Sequence, residues 1–418
     1  MNIHQISLSN FRNYPKKTFV FSPVNTLIIG DNASGKTNLL EAVFSLATGG
    51  SFRTESDREA IEFGKEVGRV QGVILTPNLF RGKNPVGNTE SGRDPSPASR
   101  RTQDDSERKE LEVLLSTGIV MGVKAPLKKY SVNGVGKRMV DFAGILKVVL
   151  FWPQDMDLVT DSPSLRRRYL DSVLVQVDRE YRRSLISYDK GLRQRNRLLE
   201  AIRDQGAHRH QLMFWDQLLI KTGEYITKKR EEYIEYINSC KLSACMPARQ
   251  VVSCQFEGYQ LIYDKSVISA TRLEQYKEEE VAAGVTLVGP HRDDFEFRIK
   301  NDELRKTKDT SDGVRMHSSE VEGFRNLSHF GSRGEQRLAV LWLKLGELAY
   351  IEEKTGEKPV LLLDDIFSEL DHEHRKIIFE VIGNQQTIIT TTDEHFIENK
   401  LLKPSLSGVE GSLMIIRL

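Results

Sequence analysis

Gly30-Asp31-Asn32-Ala33-Ser34-Gly35-Lys36-Thr37 decides how this chain is read. The run satisfies the phosphate-loop pattern G-x-x-x-x-G-K-[S/T]. Before it, Thr26-Leu27-Ile28-Ile29 reads as a short buried strand; after it, Leu39, Leu40, Ala42, Val43 and Leu46 recur at helical spacing as far as Gly49-Gly50. Strand, glycine loop and helix in that order aim backbone N–H groups and the positive end of a helix at a phosphate. The pattern predicts that Lys36 reaches the β- and γ-phosphates and that the Thr37 hydroxyl binds a divalent ion. ATP and Mg2+ are the expected ligands, held by residues 30–37.

Working outward, Leu361-Leu362-Leu363-Asp364-Asp365 is an apolar strand ending in two carboxylates. Such charges are costly to bury unless they meet a cation. Asp364 is expected to hold Mg2+ through water. Asp365 lies one residue on, points the other way, and is expected to orient the attacking water as general base. Gly331-Ser332-Arg333-Gly334-Glu335-Gln336-Arg337 opens an apolar helix, and by itself it is a serine-capped helix start. Its Ser332, Gly334 and Gln336 also resemble the signature of ABC-type ATPases, which binds the γ-phosphate of a nucleotide held by another subunit. The order of parts favours that reading: phosphate loop, signature, double aspartate about 32 residues later, then Ser368-Glu369-Leu370-Asp371. Gln154, after the strand Val148 to Phe151, is either a glutamine that senses the metal or a surface residue. Which residue after Thr391 senses the γ-phosphate stays open.

Composition narrows the class. The chain has 418 residues, 39% of them hydrophobic, with a net charge of +1, so any nucleic-acid surface must be a local patch. Three cysteines, Cys240, Cys245 and Cys254, make no disulfide framework and no Cys-x-x-Cys metal pair. The start carries no signal-peptide pattern, and no run approaches the roughly 18 apolar residues of a membrane helix. A cytoplasmic protein without a membrane partner is expected.

The organisation follows from the patterns. Residues 1–160 read as the first part of an ATP-binding lobe with a β subdomain, residues 161–280 as an inserted helical arm, and residues 281–418 as the rest of the lobe. Two polar stretches, 81–108 and 300–328, are expected to be inserts outside the core, the first of them disordered. The fold class is α/β, an ABC-type, SMC-like phosphate-loop ATPase head.

Beyond these motifs the chain resembles the RecF family. The resemblance is carried by Leu8-Ser9-Asn10-Phe11-Arg12-Asn13-Tyr14, by Gly35 to Ala42 with Ser51-Phe52-Arg53-Thr54, and by Phe151-Trp152-Pro153-Gln154-Asp155 with Arg166-Arg167 and Leu170-Asp171. Tyr188 to Asn196, Val288 to Asp294, Leu362 to Asp371 and Thr390 to Asp393 extend it over most of the chain. The resemblance implies an ATP-dependent homodimer and a weak, DNA-stimulated ATPase. It implies DNA binding, single-stranded or gapped, in recombinational repair, replication and the SOS response, with recruitment of a RecR-type mediator. It adds Arg12 to the nucleotide-binding residues. Gln154 departs from the more usual acidic residue of the family, and Arg333 and Glu335 vary the signature.

Between Arg166 and Arg197 there are ten basic and four acidic residues. Arg182, Arg183, Lys190, Arg193, Arg195 and Arg197 on the arm are candidate DNA contacts, against the plainer possibility of a solvated helix face. His291 to Asp294 reads either as a capped turn or as an interface element. The alternative function is a chromosome-structuring ATPase of the SMC class. It would carry long heptad arms, whereas this chain has one modest helical hairpin.

Overall fold

The computed structural model describes residues 1–54, 56–77, 106–239, 256, 258–300, 323–369, 372–392 and 413–418. Five parallel strands lie at its centre, in the order Val148–Phe151, Val360–Asp364, Thr387–Thr391, Asn25–Ile29 and Leu413–Arg417. Val360–Asp364 and Thr387–Thr391 are buried at every position. A parallel sheet covered on both faces demands such continuous burial, which is why Leu361 to Leu363 show no alternation.

The other major sheet is antiparallel, in the order Tyr14–Val20, Asn2–Phe11, Val67–Pro77, Ser106–Ser116, Lys128–Val132 and Val135–Lys137. Helix Lys36–Thr48 is packed between the two sheets, and Leu39 through Thr48 are all buried. The sheets are also pinned directly. Gln386, 3% exposed, accepts from the Ile3 backbone N–H at 2.7 Å and donates to the Ile3 and Ser22 carbonyls at 2.7 Å each.

The expected inserts need correction at their edges. Ser106, Glu107 and Arg108, assigned to the first insert, belong to a strand that pairs Ser106 with Pro77 and Arg108 with Leu75. Phe324 to Ser328, assigned to the second, belong to the strand Phe324–Asn326 and the helical turn Leu327–Phe330. Alternating partners across the sheet outweigh the polar composition of those edges. Residues 81–105 and 301–322 lie outside the described residues.

Helices Arg179–Gln205 and Met213–Ser239 form the expected hairpin, with Gly206 after the first of them. The hairpin is embedded, not free-standing. It shares one apolar core with helix Pro163–Val177, helix Arg333–Thr355 and a sheet of Tyr259–Asp264, Asp294–Lys300 and Phe324–Asn326. Pairing of Tyr259–Asp264 with Asp294–Lys300 crosses the boundary expected at residue 280.

At the heart of this lobe Arg230, 2% exposed, donates to Asp171 at 2.8 Å, to Asp293 at 3.0 Å and to the Pro290 carbonyl at 2.7 Å. Asp293 is fully buried and also accepts from the Ser266 N–H at 2.8 Å and from the Tyr263 hydroxyl. Arg166 grips Asp294 with two bonds of 2.6 and 2.9 Å. A charge buried this deeply is tolerated because each partner is both paired and hydrogen-bonded. Asp293 and Asp294 therefore act inside the monomer, as cement between two helices and a small sheet.

His291 sits beside this network, its Nδ1 2.7 Å from the Tyr188 hydroxyl and its Nε2 3.1 Å from the Thr286 carbonyl. Burial pushes its imidazole down to about 4. An unfolded histidine titrates near 6.5, so between about pH 6.5 and 4 the unfolded chain binds the extra proton. Stability therefore falls as pH falls through that window, by up to about 3 kcal/mol from this group. Denaturant titrations across pH 4–7 are expected to show a shallower loss for His291→Gln than for the native chain; parallel curves would contradict this placement.

Candidate functional site

The strand Asn25–Ile29 delivers the chain to the loop at the carboxyl end of the parallel sheet. Gly35 adopts φ 109°, and a Cβ there would stand 2.6 Å from the Tyr14 hydroxyl, so glycine is required on both counts. Helix Lys36–Thr48 starts at the next residue, with its first N–H groups turned toward the loop and no side-chain cap. Lys36, 7% exposed, folds back and donates to the Gly30 and Asp31 carbonyls at 2.6 and 2.9 Å. The Ser34 hydroxyl is buried and has no hydrogen-bond partner. Uncapped N–H groups, a lysine ammonium and an unmatched hydroxyl fit the chemistry of a polyphosphate.

Asp364 closes the site from the neighbouring strands. It is 4% exposed and accepts from the Thr37 hydroxyl at 2.7 Å through one oxygen and from the Thr390 hydroxyl at 2.7 Å through the other. Asp365 turns sharply away with φ 48°, and its N–H reaches the Thr390 carbonyl at 3.2 Å. Asp365 lies just past the end of the strand Val360–Asp364. Thr390 was not singled out by sequence reasoning; the only signal was its place in the Thr390-Thr391-Thr392 run. The strand Val148–Phe151 pairs in parallel with Val360–Asp364, so Gln154 emerges at the same sheet end as Asp364, and it is exposed.

The first hairpin buttresses the loop. Arg12 and Asn13 form its turn, where the Asn13 amide donates to the Ser34 carbonyl at 3.3 Å and the Tyr14 hydroxyl to the Gly35 carbonyl at 3.1 Å. Asn38 donates to Asn13 at 2.8 Å and accepts from Arg53 at 2.6 Å. Arg12, expected at the nucleotide, has its guanidinium bound to Glu41 at 2.6 and 2.9 Å and to the Glu59 carbonyl at 2.7 Å. Glu41 is fully buried on the phosphate-loop helix, and a buried carboxylate holds its cation strongly. In this structure Arg12 therefore braces the helix.

The segment that resembles the signature forms the tip of helix Arg333–Thr355. Ser332 is its N-cap: its hydroxyl accepts from the Glu335 N–H at 3.3 Å, and Glu335 reaches back to the Ser332 N–H at 2.8 Å. Gln336 donates to the Leu327 carbonyl at 2.9 Å, and Glu335 pairs with Arg325. Ser332, Arg333 and Gly334 are exposed. A Cβ on Gly334 would meet nothing within 4 Å, so the monomer itself does not demand a glycine there. Leu370, Asp371, Asp393 and His395 lie outside the described residues.

Comparison with known proteins decides the family. The family model described as the RecF/RecN/SMC N terminal domain matches residues 2–410. The chain is 32% identical to the DNA replication and repair protein RecF of Lachnoclostridium phytofermentans, over 96% of either chain, and 33% identical to that of Herpetosiphon aurantiacus, over 99% of either. The chain belongs to the RecF family. Among solved structures it is similar to the recombination mediator protein RecF-ATP in the RecFOR pathway, with a TM-score of 0.73 and 29% identity, covering 95% of this chain and 93% of that one. The ATPrS form gives a TM-score of 0.72 and 28% identity, covering 99% and 96%. The ABC-type ATPase head expected from the order of motifs is thus the fold of this chain.

For this RecF-family chain the basic arm divides in two. Arg183, Lys190, Arg193 and Arg197 are exposed, and their offsets of 7, 10 and 14 residues place them on one stripe of helix Arg179–Gln205. Arg182 and Arg195 are corrected: both are buried. Arg182, 9% exposed, donates to the Val175 carbonyl at 2.5 Å. Arg195, 2% exposed, is bound to Asp216 at 2.7 Å, Glu280 at 2.7 Å and Thr286 at 2.9 Å. A signal existed, since Tyr181, Tyr188 and Arg195 share heptad spacing and hence the core face. Among the described residues no group of three or more His, Cys, Asp and Glu is placed to hold a metal, and no helix is long and apolar enough to cross a membrane.

Removing Arg195 would leave Glu280 buried and unpaired. Arg195→Ala is expected to lower the unfolding free energy by about 3–5 kcal/mol, and Arg193→Ala by less than about 0.5 kcal/mol. Chemical denaturation of the two variants measures the contrast, and equal losses would refute the burial assignment.

Proposed function

We propose that this chain is an ATP-dependent DNA-binding protein of recombinational repair and replication, active at single-stranded or gapped DNA. It dimerises when ATP is bound, hydrolyses ATP slowly with stimulation by DNA, and recruits a RecR-type mediator in the repair and SOS responses. The observation that carries this reading is a division of labour. Lys36, Thr37 and Asp364 converge on one surface, while the tip Ser332–Gly334 is exposed and spends its hydrogen bonds within its own lobe. A capped helix tip with a glycine the monomer does not require is suited to close approach by a second copy. The curated relatives, named DNA replication and repair protein RecF, and the solved relatives in ATP-bound form support the same reading.

The residues divide the work as follows. Residues 30–37 surround the β-phosphate, and Lys36 turns from the loop carbonyls to the β- and γ-phosphates. Thr37, and Asp364 through water, would hold Mg2+, which when bound would neutralise phosphate charge. Asp365 orients the attacking water, and Gln154 stands at the same sheet end as a sensor. Ser332, Gly334 and Gln336 of one copy complete the site of the other. The exposed stripe Arg183, Lys190, Arg193 and Arg197 contacts DNA phosphates without reading sequence. The modest hairpin, embedded in its own lobe, favours this over a chromosome-structuring role.

Lys36→Ala is expected to lose ATP binding. Ser332→Arg is expected to bind ATP as the native chain does yet remain monomeric in ultracentrifugation with ATP, while the native chain dimerises with ATP and not with ADP. A Ser332→Arg protein that still dimerises with ATP would overturn the shared site. On gapped DNA, the double variant Arg193→Glu with Arg197→Glu should bind at least about tenfold more weakly and with a shallower salt dependence; unchanged affinity across a salt series would remove the stripe from the DNA surface.

A further inference from the structure

The helix that carries Ser332 at its tip carries Lys344 twelve residues further on, about 18 Å along the axis at 1.5 Å per residue. Lys344 is 4% exposed. Its ammonium lies 3.1 Å from Asp155 Oδ1, 3.6 Å from Glu347 Oε2 and 4.9 Å from the centre of the Tyr169 ring. Asp155, 6% exposed, is the residue next to Gln154, and its second oxygen accepts from the Trp152 N–H at 2.9 Å. One buried ion pair therefore ties the segment that leaves the phosphate end of the sheet to the helix that presents the signature.

Packing runs along the same line. Pro153 and Met156 of the segment, Val340 and Leu341 of the helix, and Ile366 just after Asp365 line one small void of about 20 Å³. On the other side the cluster floors a cleft of about 310 Å³ bordered by Phe52, Gln154 and Tyr169. Two carboxylates share one ammonium here. Burial pushes both acids up, Glu347 to about 7, and burial also opposes the Lys344 charge, which Asp155 and Glu347 more than restore. The two acids are not equivalent in placement. Glu347 sits on the same helix as Lys344, one turn away, whereas Asp155 belongs to the segment after strand Val148–Phe151.

We propose that Asp155 and Lys344 are positioning residues: their ion pair makes the Gln154 segment and the signature helix move as one body, so that the phosphate end of the sheet sets where Ser332 stands at the dimer face. This rests on the ATP-driven dimer proposed above. A helix transmits displacement along its length with little loss, because its backbone bonds are all internal. The Lys344–Asp155 contact is also a hydrogen bond, which has a preferred direction that the apolar contacts beside it lack.

The cluster supplies its own control. Asp155→Asn and Glu347→Gln each replace one acid of the same buried site by its amide and leave Lys344 one acidic partner. Asparagine at 155 also keeps an acceptor for the Trp152 N–H. Both full-length variants are to be compared with the native chain for ATP affinity, thermal unfolding and ATP-dependent dimer dissociation constant by ultracentrifugation. Asp155→Asn is expected to bind ATP within threefold of native while its dimer weakens at least tenfold; Glu347→Gln is expected to dimerise within threefold of native. Equal behaviour of the two variants, whether both weakened or both intact, overturns the proposal. Should Asp155→Asn fail to fold, the neutral pair Asp155→Asn with Lys344→Gln replaces it, with the same weakening expected and native dimerisation overturning the idea. A native chain that does not dimerise with ATP instead refutes the dimer reading itself.

Discussion

The carboxylate of Asp364 is the point on which the nucleotide face depends. It is buried at the end of a fully apolar strand, where an unmatched charge would be prohibitive. Two threonine hydroxyls remove the difficulty: Thr37 from the first turn of the loop helix and Thr390 from the adjacent strand, each at 2.7 Å. Those two bonds bring together chain segments 327 and 26 residues away from Asp364. They also fix where the Asp364 carboxylate stands relative to the phosphate loop. The next residue, Asp365, leaves the strand in the left-handed region with φ 48°, which is uncommon for a non-glycine residue.

A second constraint holds the other lobe. Arginine is abundant there, and its guanidiniums serve two purposes that sequence does not separate. Arg230, Arg166 and Arg195 are internal fasteners, each matched by aspartate, glutamate or backbone carbonyls. Arg183, Arg193 and Arg197 remain on the outside. Planar, multi-donor guanidiniums suit both tasks, because one group can satisfy several acceptors without moving. The outcome is a lobe whose core is partly ionic and whose exposed helix face carries a stripe of basic residues.

Between the two lobes runs helix Arg333–Thr355. Its buried flank, Ala339 to Ile351, contributes to the larger apolar core, yet its tip stands in solvent with a self-contained capping box. A helix anchored along its length and presented at its end can carry a residue to a partner without deforming. That combination, more than any single motif, is what supports the proposed two-copy arrangement.

Much of this was legible in the sequence. The phosphate loop, its strand and helix, the double aspartate and the serine-capped tip are contiguous segments whose geometry is set by neighbours a few residues away, so local rules suffice. The edges of the polar stretches were not legible: Ser106–Arg108 and Phe324–Asn326 are strands because distant partners pair with them. Nor were Thr390, Gln386 or the Asp155–Lys344 pair, or the burial of Arg182 and Arg195. The sequence by itself determined a phosphate-binding ATPase head and the order of its parts, since backbone conformation and helix capping are short-range. Tertiary structure alone decided which charges are partners and which face outward, because a side chain's partner is set by what folds against it, tens to hundreds of residues away.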